Sequence, residues 1–144
     1  MAAEGWSVVR LDELPTIEGD LPSWKPVRHG LGLEAFGVNA WLGGEPGSGV
    51  IDDHDELGED GDQEELYFVV SGRAAFTIDG ERVDAPAGTF VALRDPALRR
   101  VAVAEEPGTV VLAVGGVRGR PFTPSEWELH RLASLGSQPP PAAP

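Results

Sequence analysis

The chain has 144 residues, a length that suits one domain. Its net charge of −13, with Lys25 the only lysine, speaks against nucleic-acid and anionic-membrane partners, which need a basic surface. Cysteine is absent, so disulfides and thiolate metal sites are excluded; no apolar run approaches the roughly 18 residues that span a bilayer, and no secretory signal is visible. A cytoplasmic location is the default expectation.

The stretch 1–33 carries Trp6, Trp24, Pro15, Pro22 and Pro26. It reads as an N-terminal arm of one or two short strands laid over a barrel, in which Arg28-His29 either reaches over the barrel mouth to a ligand or, as such pairs more often are, is a surface feature. From residue 34 to 116, short runs rich in Val, Phe, Ala and Thr alternate with Gly, Pro or Asp. These runs are Glu34 to Leu42, Gly49 to His54, Glu65 to Val70, Arg73 to Ile78, Arg82 to Ala85, Thr89 to Leu93, Arg99 to Ala104 and Thr109 to Val114. Two hairpins are expected, one through Ser71-Gly72 and one through Asp79-Gly80, since Asp-Gly takes the positive φ angles of a type I′ turn. Many short strands without alternating helices predict an all-β sandwich or barrel. In 117–136, Thr123-Pro124-Ser125-Glu126 predicts a capping box for one short helix, with Phe122 and Trp127 as a hydrophobic staple and Gly136 as its stop. The stretch 137–144 reads as a disordered Pro-rich tail.

Glu65-Leu66-Tyr67-Phe68-Val69-Val70-Ser71-Gly72 is similar to the second half of the first cupin motif, a glutamate followed seven residues later by glycine. Gly80, Pro86 and Gly88 keep the spacing of the second motif. Over roughly Phe36 to Gly116 the chain resembles the cupins, and more narrowly small single-domain bacterial cupins of unknown function. The resemblance implies a double-stranded β-helix (jelly-roll) barrel, commonly paired into a homodimer. It also implies a divalent metal (Fe, Mn, Ni or Zn) held by three histidines and a glutamate.

The chain departs from that ligand set. Glu59, Asp60 and Gly61 stand where the histidine pair is expected, His54 lies farther upstream, and Arg99 falls where the second-motif histidine is expected. His54 and Glu56, two apart on a strand, would share a face, and Glu65 could join them in a metal site of one imidazole and two carboxylates. A guanidinium stays protonated and cannot ligate a cation, so an inward Arg99 would instead pair with Glu65 or grip an anionic group. Arg100 points to the opposite face, and a register slip by one exchanges the two. Tyr67 shares the face of Glu65 and offers a hydroxyl.

Three readings follow. The first is a barrel that binds a small molecule, with an anionic group gripped by Arg99 beside Tyr67 and Glu65. The second is a metal-dependent oxygenase or isomerase using His54, Glu56 and Glu65. The third is a structural or regulatory dimer whose barrel is filled by side chains. The acid-rich segment from Asp52 to Glu65 half-matches a calcium loop but reads better as a solvated loop.

Overall fold

The computed structural model describes residues 4–58 and 62–135. Among the described residues, nine strands form two antiparallel sheets: β1 (Trp24–Lys25), β2 (Gly37–Leu42), β3 (Gly49–His54), β4 (Gln63–Ser71), β5 (Arg73–Ile78), β6 (Glu81–Pro86), β7 (Phe90–Leu93), β8 (Arg100–Ala104) and β9 (Val110–Val117). One sheet has the order β1-β2-β9-β4-β7 and the other β3-β8-β5-β6, with the core between them. Two short helices, α1 (Val27–Leu31) and α2 (Glu126–Ala133), complete the fold. Helix α1 packs on β2 and was not foreseen from the sequence.

The alternation of side chains along each strand divides inside from outside. On β4 the inward row is Glu65, Tyr67 and Val69, and on β9 it is Val111, Ala113 and Gly115. On the facing sheet Phe76, Ala102 and Ala104 point inward, all 1% exposed or less. Tyr67 meets Phe76 across the core, with ring centroids 5.3 Å apart. Fully burying a side chain such as Phe76 contributes about 1.5–3 kcal/mol, and contacts of this kind hold the sheets together.

The Asp79-Gly80 turn forms as expected: φ is +46° at Asp79 and +83° at Gly80, both of the sign a type I′ turn needs, and β5 pairs directly with β6. Ser71-Gly72 is a correction. It joins no hairpin, because β4 and β5 lie in different sheets; it is the corner at which the chain crosses between them. Gly72 has φ +73°, and a Cβ there would stand 2.7 Å from the Cα of Thr109, so glycine alone allows this corner.

Trp24 and Lys25 pair with Trp41 and Ala40 at the edge of β2, and Ile17 bridges back to Trp24. Helix α2 starts later than its sequence predicts. Its N-cap is Ser125, not Thr123, and no side chain caps it. The staple does not form between Phe122 and Trp127 as drawn; Phe122 packs on Gly37 and under Arg28, while Trp127 packs on Trp24 and Trp41. The barrel's aromatic wall outcompetes the local contact. Gly136 and the stretch 137–144 lie outside the described residues, as do Glu59, Asp60 and Gly61.

Candidate functional site

A cavity of about 450 Å³ opens within the barrel, a volume typical of small-molecule sites. One wall carries His54, Glu56, Glu65 and Tyr67; the other carries Asn39, Trp41, Trp127 and Glu128. Helix α2 contributes the last two and closes that side.

The first wall is assembled from both sheets. His54 ends β3, opposite Arg100 at the start of β8, while Glu65 and Tyr67 come from β4. The register of β3 shifts between Ile51 and His54. Such an irregularity re-aims a strand's last side chains. Glu56 lies beyond the strand, where its backbone N–H donates to the Pro96 carbonyl at 2.9 Å. Its carboxylate returns to within 2.9 Å of His54 Nε2, although the strand ends before Glu56 and the two do not share a strand face.

Arg99 is where the expectation fails. Strand β8 begins one residue later, and Arg99 turns outward, 58% exposed, to pair with Asp53 at 2.9 Å and Asp55 at 3.9 Å. Arg100 takes the interior position with no exposed surface. Its Nη1 lies 3.2 Å from Glu65 Oε1 and 3.5 Å from Glu56 Oε1. The reason is the alternation on β8. The inward row is Arg100, Ala102 and Ala104, with Ala102 opposite both Ile51 and Phe76, and Val101 and Val103 lie on the other face. The anion grip assigned to Arg99 therefore has no place in the barrel.

The electrostatics follow from this crowding. Burial alone would lower the His54 pKa, but its hydrogen bonds to Glu56 and the Asp52 carbonyl, with the charges of Asp52 and Glu65, raise it to about 9. Geometry says the same. Nδ1 faces the Asp52 carbonyl oxygen at 2.7 Å and Nε2 faces a carboxylate at 2.9 Å, two acceptors that a neutral imidazole with one N–H cannot both satisfy. Burial and the nearby Glu56 charge push Glu65 up to about 7, against the opposing pull of the Tyr67 hydrogen bond, His54 and Arg100. Tyr67 donates to Glu65, and burial beside that carboxylate raises its pKa well above the usual phenol value.

The donor atoms of His54, Glu56 and Glu65 all lie within 4.8 Å of one another, a grouping that could hold a metal ion. Two observations oppose a resident divalent ion there. Both imidazole nitrogens already face protein oxygens, the Asp52 carbonyl and the Glu56 carboxylate, and the Arg100 guanidinium already stands against both carboxylates as their counter-charge. One imidazole and two carboxylates beside a guanidinium differ from the three histidines and a glutamate that the resemblance implies.

The opposite wall was not foreseen. Arg28, expected at the surface, is 9% exposed and donates through Nη2 to Glu128 Oε2 at 2.9 Å, while Asn39 Nδ2 donates to Glu128 Oε1 at 2.8 Å. Three segments remote in sequence meet here. No spacing pattern signals that; only the glutamate inside an otherwise amphipathic helix hints at a buried partner.

Two sheets closing on a polar interior define the cupin, double-stranded β-helix fold, and the solved structures similar to this chain carry that fold too. A cupin protein from Bacteroides fragilis superposes with a TM-score of 0.61 at 19% identity, covering 85% of this chain and 93% of its own. KdgF from Halomonas sp. gives 0.61 at 18% identity, covering 78% of this chain and 94% of that one. A sugar phosphate isomerase of the cupin superfamily from Silicibacter pomeroyi gives 0.60 at 20% identity, covering 75% and 74%. No protein-family model matches the sequence, and no curated protein matches it. Among the described residues no helix is long and apolar enough to cross a membrane.

Proposed function

We propose that this protein is a small-molecule-binding cupin barrel whose metal position is taken over by its own side chains. The observation that carries this reading is the buried Arg100 guanidinium between Glu56 and Glu65, beside an open cavity. Arg100 supplies the positive charge that a metal would bring, and both His54 nitrogens are already engaged, by the Asp52 carbonyl and the Glu56 carboxylate. An incoming ion would have to displace the contacts His54 makes with Glu56 and the Asp52 carbonyl, and would stand against Arg100. The cavity volume of about 450 Å³ counts against a barrel filled by side chains. A metal-dependent enzyme is the second reading, favoured by the close grouping of His54, Glu56 and Glu65.

Elemental analysis of protein purified without chelators or a histidine tag separates the two. We expect iron, manganese, nickel and zinc far below stoichiometric, before and after reconstitution. Near-stoichiometric metal that disappears in His54→Ala would overturn the first reading in favour of the second.

A cytoplasmic homodimer belongs to the same proposal. The outer face of the five-stranded sheet supports it, since Phe90 is 66% exposed and Val70 49%, with Phe68 and Phe90 stacked at 4.4 Å. The N-terminal arm offers less than its two tryptophans suggest, because Trp24 is sealed in its own core and only Trp6 is free to reach a partner.

A further inference from the structure

Strand register shapes the cavity floor. Gly37 of β2 lies opposite Gly115 of β9, which lies opposite Glu65 of β4; two residues along, Asn39 lies opposite Ala113, which lies opposite Tyr67. Strand β9 thus places nothing larger than a methyl group between two polar walls. Those walls stand two strand spacings apart, about 10 Å, and side chains reaching inward leave room for roughly one six-membered ring. A Cβ at Gly115 would stand 2.8 Å from Gln63 Oε1 and 3.4 Å from the Glu64 carbonyl oxygen, so a larger residue there would displace the Gln63 side chain.

Asn39 makes the second wall more than a boundary. Glu128 is ion-paired to Arg28 and accepts from Asn39 Nδ2, which fixes the amide's orientation. The Asn39 side-chain oxygen is thereby left buried with no hydrogen-bond partner among the described residues. A buried amide oxygen is costly without a donor, and Asn39 lines the cavity from which one could come.

The charges decide what kind of donor. Each buried carboxylate of the two walls already has a cation of the protein beside it: His54 for Glu56 at 2.9 Å, Arg100 for Glu65 at 3.2 Å and Arg28 for Glu128 at 2.9 Å. Arg131, the other cation that lines the cavity, lies 3.8 Å from Asp20, so a charged ligand would have to compete with an existing pair, whereas hydroxyl groups can use the lone pairs that remain. Trp41 and Trp127, centroids 5.9 Å apart, present apolar ring surface to the same space, which suits the C–H face of a ring.

Resting on the binding-barrel reading, we infer that the ligand is an uncharged cyclic polyol. Its hydroxyls donate to Glu65 at one edge and to the Asn39 side-chain oxygen at the other, with a C–H face against Trp41 and Trp127. Asn39 is then a binding residue, and Glu128 with Arg28 positions it.

Calorimetry and saturation-transfer NMR at pH 7 with myo-inositol, D-glucose, glucose 6-phosphate and acetate test this. We expect saturable binding of myo-inositol or D-glucose, no gain from the phosphate, and at least a tenfold weaker complex with Asn39→Leu. Should Asn39→Leu fail to fold, Ala113→Leu keeps the Arg28–Glu128–Asn39 contacts and fills the floor, so it should abolish binding. Acetate binding without a polyol, or glucose 6-phosphate binding tenfold tighter than glucose, overturns the polyol class and leaves the barrel a binding module. Unchanged affinity in folded Asn39→Leu overturns the second wall, as does undiminished binding by Ala113→Leu. Binding of none of the four probes overturns the inference, whereas failure of the underlying reading shows separately, as stoichiometric metal in the purified protein.

Discussion

The Glu128 carboxylate sits 2.9 Å from the Arg28 guanidinium across 100 residues of sequence, and their side chains are only 5% and 11% exposed. This pair ties α2 to α1 and holds one side of the cavity shut. Removing one member of a buried pair leaves the other charged and unpaired, which costs about 3–5 kcal/mol. Glu128→Ala should lower stability by about that amount in chemical denaturation. A loss under about 1 kcal/mol would show that the helix is not anchored by this contact.

The two adjacent arginines should behave oppositely. Arg100→Ala strands Glu56 and Glu65 in the interior and should cost about 3 kcal/mol or more. Arg99→Ala removes only exposed pairs to Asp53 and Asp55 and should change stability by less than about 1 kcal/mol. Equal effects in urea titrations of the two variants would contradict the register of β8.

Stability should fall as pH rises from about 4.5 to 9. Both His54 and Glu65 bind a proton more tightly in the folded state, at about 9 against an ordinary 6.5 and about 7 against 4.5. A raised folded pKa gives stability that is complete below the unfolded value and is lost as pH climbs through the folded one. Glu65 therefore acts between about 4.5 and 7, and His54 between 6.5 and 9. Each contributes on the order of 3 kcal/mol, with Glu56 sharing part of the Glu65 effect. Thermal melts at intervals across this range check the slope; His54→Gln should flatten its alkaline half.

If the outer sheet face joins two copies, Phe90→Glu should give monomers in light scattering with little change in the folded core, since Phe90 is 66% exposed and faces away from it. A wild-type protein that is already monomeric at high concentration would remove the basis for the homodimer.

Much of the barrel was legible in the sequence, because strands and turns are encoded locally. Asp79-Gly80 carries its own turn chemistry, and the runs from Gly49 to His54 and Arg73 to Ile78 match the observed strands to the residue. The grouping of His54, Glu56 and Glu65 was legible as well, since close spacing and the glutamate of the first motif bring them near one another. Other features belong to the tertiary structure alone. A strand has two faces related by a one-residue shift, and only the pairing of β8 with β3 and β5, which sets Ala102 opposite Ile51 and Phe76, sends Arg100 inward and Arg99 out. Ser71-Gly72 looks like any tight turn until Thr109 closes on it and turns it into a corner. Arg28, Asn39 and Glu128 lie on three separate elements whose meeting depends on where α2 docks, and long-range docking leaves no periodicity for a sequence to display.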